Sequence, residues 1–122
     1  MAVCFAKLEA GQTAEALRIV QATDFTQADK GVKRFAEAIQ GACHAKLGET
    51  REARLAIERF HLAMDSSSPW HAPTLYLVGR TEQWIGNAAA AKRWYQQVLR
   101  TWSLPVRDFY RVRELKEFVA TH

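Results

Sequence analysis

Three stretches of this chain share one punctuation: AKLEAGQTAEAL, AKLGETREARL and QWIGNAAAAKRW each place a glycine five residues before an alanine. The pairs are Gly11 and Ala16, Gly48 and Ala53, and Gly86 and Ala91, and the glycines recur 37 and then 38 residues apart. A period in this range marks stacked supersecondary units, none of which buries its apolar face alone. Alanine, leucine, glutamate, glutamine, lysine and arginine dominate, and all are good helix formers. The three prolines and six glycines are too few for a many-turned sandwich or barrel.

Within each unit the apolar spacing is helical. Phe35, Ile39 and Leu47 recur with Ala36, Ala42 and Cys43 between them, and Gly48 stops that helix by taking the left-handed conformation of a helix end. Thr50 is the expected cap of the next helix. Its stripe is Ala53, Leu55, Ile57, Phe60 and Met64, and Ser66 to Pro69 break it. In the following unit Pro73 suits a first helical turn. Leu75, Val78 and Ile85 then recur up to Gly86, and Asn87 is a natural cap. Ala91, Trp94, Tyr95, Val98, Leu99 and Trp102 form the second stripe, which ends at Ser103 to Pro105. A last amphipathic helix from Pro105 onward carries Val106, Phe109, Val112, Leu115, Phe118 and Val119. Gly41 and Gly79 occupy equivalent places inside first helices. A glycine there costs about 1 kcal/mol relative to alanine, so its repeated use implies close approach of a neighbouring helix.

These readings divide residues 1–122 of a single helical domain into a partial repeat over 1–25, repeats over 30–66 and 70–103, and a capping helix over 105–120. The first unit has a whole second helix, Thr13 to about Thr23, but a first helix only from Ala2 to Ala10. The chain is therefore expected to start inside a repeat, as a fragment or with another chain over the opening edge.

The units resemble tetratricopeptide repeats in the small residue of the first helix, the turn glycine and the early alanine of the second. Gly41, Gly48 and Ala53 match in one unit, Gly79, Gly86 and Ala91 in the next, and Gly11 and Ala16 in the half-unit. The resemblance implies an all-α fold: a right-handed stack of antiparallel helical hairpins, an α-solenoid, closed by the C-terminal helix. The chain departs from the family in its longer loops, in the displaced Pro69 and Pro105, and in the first-helix aromatic places, held by Glu37 and His44 and by Leu75 and Glu82. The last repeat and final helix also resemble the ends of repeat regions in bacterial multidomain regulators, which implies the tail of a signalling or transcription-control protein.

The residue types exclude several functions. The glycines are too dispersed for a nucleotide-binding loop. His44, His61, His71 and His122 are not at ligand spacing and no Cys pair accompanies them, so no metal and no cofactor is expected. His44 should lie between helices, with His61 and His71 at the surface. Cys4 and Cys43 read as two buried thiols. No nucleophile stands beside a base, and an enzyme is not expected. No apolar run approaches the roughly 20 residues of a membrane span, and the N-terminus lacks a secretory pattern, so a cytoplasmic protein without membrane contact is expected.

What remains is a surface. The resemblance implies that the first helices line a concave, peptide-holding face. By position that face takes Phe5 and Glu9 from the half-unit, Ala38, Ala42 and Lys46 from the middle unit, and Tyr76, Arg80, Gln83 and Trp84 from the last. Tyr76, Arg80 and Gln83 share one helical face, and an aromatic beside an arginine is a frequent hot-spot pair. The alanines should leave room for a bulky side chain or a helix, and Arg80→Glu should weaken binding with helicity intact. The partner is then a protein or peptide. Self-association into a homo-oligomer is the alternative. So is binding of an acidic partner or nucleic acid by the second half, where eight Lys/Arg face four Asp/Glu. In the last helix Asp108, Glu114 and Glu117 dilute the charge of Arg107, Arg111 and Arg113, which weighs against nucleic acid.

Overall fold

A computed structural model describes residues 2–60, 71–101 and 112–122. They form seven helices: α1 (Ala2–Glu9), α2 (Thr13–Ala22), α3 (Lys30–Lys46), α4 (Thr50–Phe60), α5 (His71–Trp84), α6 (Ala88–Thr101) and α7 (Val112–Thr121). Among the described residues there is no strand, and the chain is all-α. Met64, the break at Ser66 to Pro69, Trp102 and the final helix before Val112 lie outside the described residues.

The three turns are one motif made three times. Gly11, Gly48 and Gly86 have φ of 84°, 82° and 92°, a conformation that L side chains rarely adopt. Each glycine N–H donates three residues back, to Leu8 (3.1 Å), Ala45 (3.2 Å) and Gln83 (3.1 Å). The next N–H donates five back, from Gln12 to Lys7 (2.9 Å), Glu49 to His44 (2.8 Å) and Asn87 to Glu82 (2.8 Å). This pattern satisfies the carbonyls orphaned at a helix end. The residue after the glycine also starts the next helix, because the carbonyls of Gln12, Glu49 and Asn87 accept from Ala16, Ala53 and Ala91. Glu49 thus holds the place expected for Thr50, which is the first residue of α4. The Asn87 side chain does cap α6, accepting from the Ala90 N–H at 3.4 Å.

The turns pair α1 with α2, α3 with α4, and α5 with α6, and the pairs meet through α2 on α3 and α3 on α5. α7 lies against α6. The core runs from Cys4, Phe5 and Leu8 through Phe35, Ile39 and Cys43 to Leu75, Tyr76, Tyr95, Val98 and Leu115, with Ala56 of α4 packed against it. Ala16, Ala53 and Ala91 are fully buried. A Cβ on Gly41 would come 2.9 Å from Ala56 Cβ, and one on Gly79 would meet Tyr95 Cδ1 at 2.6 Å, so both interior glycines mark real close approaches. Two expected stripe residues are not core: Leu47 and Leu55 are 44% and 49% exposed. Ala53 and Ile57, four apart, set the buried line of α4, and Leu55 falls on its far flank. Leu47 lies where the chain already leaves α3 for the turn.

Candidate functional site

The residues expected to bind a partner converge, but at two depths. Lys46 is exposed, and Glu9, Gln83 and Trp84 are half-buried. With Leu8, Gly11, Arg80 and Glu114 they line a depression of about 190 Å³. Lys46 places its ammonium 4.9 Å from the centre of the Trp84 ring, a cation–π contact between α3 and α5. The face therefore draws on α1, α3, α5 and α7.

Phe5, Tyr76 and Arg80 lie beneath that surface, with exposures of 6%, 0% and 4%. Of the three, Arg80 still lines the depression, whereas Phe5 and Tyr76 do not. The Phe5 and Tyr76 rings meet at 5.9 Å. Ala38 and Ala42 are covered as well and share their cluster with Phe5 and Phe35, so the room left by their small side chains is not open to a partner.

Arg80 is the centre of a polar network. A buried guanidinium is costly unless paired and hydrogen-bonded, and this one is bonded through both Nε and Nη1. Nε donates to the Tyr76 hydroxyl at 3.0 Å, and that hydroxyl donates to Glu9 Oε1 at 2.9 Å. Nη1 donates to Gln83 Oε1 at 3.3 Å and to Glu114 Oε1 at 3.1 Å. Tyr95 donates to the same Gln83 oxygen at 2.6 Å. The guanidinium carbon lies 5.0 Å and 5.8 Å from the Tyr76 and Tyr95 ring centres. Burial opposes the charge on Arg80, but the two tyrosine oxygens and Glu114 outweigh it and hold the group protonated above its ordinary range. Burial pushes both tyrosines above theirs.

Two members were not anticipated. Tyr95 occupies the place that Ile57 fills one unit earlier. A hydroxyl at a core position must find a partner, and that difference was the available signal. Glu114 was read only as diluting charge, yet it stands on Arg80 with its own side chain 48% exposed. The corresponding signal was Arg80 itself, a charge where the middle unit has Ala42.

Each turn also carries a side-chain pair at its mouth: Lys7 with Gln12 (3.4 Å), His44 with Glu49 (3.1 Å) and Asn87 with Glu82 (3.4 Å). His44, in the last turn of α3, is half-buried beside Glu49, and His71, expected at the surface, is half-buried. Cys4 and Cys43 are buried free thiols. A larger cleft of about 770 Å³ lies between α4 and the α5–α6 pair, lined by Arg54, Ile57, Glu58, Glu82, Arg93 and Trp94 among others. Its walls explain it: among the described residues α4 and α6 make no backbone contact, so adjacent pairs splay. Its charges alternate in sign and set no preference.

Among the described residues there is no group of three or more His, Cys, Asp or Glu able to hold a metal ion, and no helix long and apolar enough to cross a membrane. No protein-family model, no curated protein and no solved structure matches the chain.

Proposed function

We propose that the chain is a tetratricopeptide-like stack of antiparallel hairpins, right-handed in its superhelix, that serves as a non-catalytic protein-interaction module. The repeated turn geometry and the pairwise order of contacts support that reading of the fold. One observation carries the functional reading: Glu9, Lys46, Gln83 and Trp84, from three helices far apart in sequence, line one depression over a buried arginine. Such a face combines charge of both signs with an aromatic anchor, as peptide-binding grooves do. The test is selection of binders from a displayed random-peptide library on the intact chain, followed by amide-shift mapping. Selected peptides should shift resonances in α1, α3 and α5 and lose affinity on Lys46→Glu and Trp84→Ala. Peptides that ignore both substitutions and map to the cleft at Arg54 and Trp94 would displace the site.

A second reading, self-association, rests on α1. Val3 is 59% exposed and Ala6 and Ala10 are exposed beside it. The matching residues Val78 and Thr81 of α5, and Cys43 of α3, are buried. Val3→Asp should abolish any concentration-dependent mass seen by light scattering.

A further inference from the structure

The helix α7 sits where a partner of this face would sit. Glu114 lines both the 190 Å³ depression and a neighbouring one of about 280 Å³, which also contains Arg80, Gln83, Tyr95 and Phe118. The two hollows share Arg80 and Gln83 as floor, and Glu114 stands between them. Three features dock α7. Leu115 is 1% exposed. Phe118 meets the Tyr95 ring edge-on at 5.3 Å. Glu114 pairs with Arg80 at 3.1 Å. The backbone of α7 lies against α6, and its reach to α5 runs through that ion pair.

We propose that α7 is a displaceable internal ligand, and that the partner is an amphipathic helix with the same pattern: a carboxylate for Arg80, an aliphatic residue directly after it, and an aromatic three positions beyond the aliphatic one. This deepens the interaction reading above and rests on it. Charge complementarity selects the partner. Arg80 is buried and permanently charged, so whatever replaces Glu114 must bring a carboxylate or leave a costly unpaired cation. The aliphatic residue fills the seat of Leu115, and the aromatic meets the Tyr95 ring at the near-perpendicular angle that Phe118 shows. Removal of α7 would join the two hollows into one groove that reaches the Lys46–Trp84 pair. A binder that must first displace α7 pays in apparent affinity the fraction of chains with the seat open.

The probe is a fluorescein-labelled peptide with the sequence of residues 112–122, titrated by anisotropy into the full chain and into a Leu115→Ala, Phe118→Ala double variant whose own α7 docks weakly. The double variant should bind the peptide at least about tenfold more tightly than the unsubstituted chain, because more of its seats are open. A peptide with lysine in place of Glu114 should lose that gain. Circular dichroism should show the double variant still folded, and the peptide substitution leaves the chain itself untouched. Equal affinity for both chains, or for both peptides, overturns the displacement. If library peptides still map to Lys46 and Trp84 in that case, the interaction face stands without it. If they do not, the face fails too. A dimer of the unsubstituted chain that is lost in the double variant would give the seat to α7 of a second copy and overturn the foreign helix.

Discussion

Gly41 lies where α3 approaches α4 closely, and its neighbour there is Ala56, a side chain with nothing to rotate away. Alanine at an ordinary helix interior gains about 1 kcal/mol over glycine. Here the added methyl meets Ala56 Cβ at 2.9 Å, and Gly41→Ala should instead destabilise by about 1–3 kcal/mol. Chemical denaturation would read the loss, and Ala56→Gly in the same chain should recover most of it; no recovery would mean that the clash is elsewhere. The same logic makes Ala53→Leu and Ala91→Leu costly by about 1–3 kcal/mol. These small residues were legible because they recur in register. Arg80 was not, because one sequence shows a charge but not its burial. Arg80→Glu, expected from sequence to spare the fold, would bring a third carboxylate to Glu9 and Glu114 in a site with 4% exposure. It should destabilise by about 3–5 kcal/mol, the usual result of leaving a buried charge without its partner. A variant with unchanged thermal stability would contradict the network.

The helices themselves were readable from apolar period and turn glycine, and the structure places α2 and α5 within a residue or two of the expected limits. The cap of α4 was misread for a specific reason. Glu49 serves two helices at once, ending α3 through its N–H and opening α4 through its carbonyl. Such double use leaves no residue free to be a separate cap, and side-chain preference alone points to Thr50. The turns also isolate a purely conformational effect. A Cβ at Gly11, Gly48 or Gly86 meets nothing within 4 Å, so substitution there costs only the strain of a left-handed residue, about 1–2 kcal/mol. Gly48→Ala should lose that amount, whereas D-alanine introduced at the same place by chemical ligation should lose none of it. Equal losses for the two stereoisomers would show that the turn is held by something other than its positive φ.

At the scale of the molecule, one hydrogen-bonded network ties α1 to α7 through the middle of the chain. Glu9 reaches Tyr76 across 67 residues, and Arg80 reaches Glu114 across 34. The sequence pattern describes neighbours in the stack, so a link that spans it was invisible there. Such a network makes the fold sensitive to base. Burial raises the Tyr76 and Tyr95 hydroxyls above the ordinary value of 10.0. Burial, with Cys4 nearby, pushes the Cys43 thiol from 9.0 up to about 12. Each of these groups is favoured in its neutral form by folding. The stability that each lends is complete below its unfolded pKa and is lost as pH climbs from that value through the raised folded one. The thermal midpoint should therefore hold steady from about pH 7 to pH 8.5 and fall progressively above about pH 9, as the thiol and then the phenols favour the unfolded chain. Tyrosinate absorbance offers a direct check, because the chain has three tyrosines. Two of them, Tyr76 and Tyr95, should ionise only as helicity is lost, so their share of the absorbance and the circular dichroism change should rise together. Tyr95→Phe should remove part of the delayed signal, and the hydroxyl lost from Gln83 should lower neutral-pH stability by about 1 kcal/mol. Full tyrosinate absorbance in a chain that keeps its helices at about pH 11 would mean that both hydroxyls meet solvent, and the buried network around Arg80 would have to be redrawn.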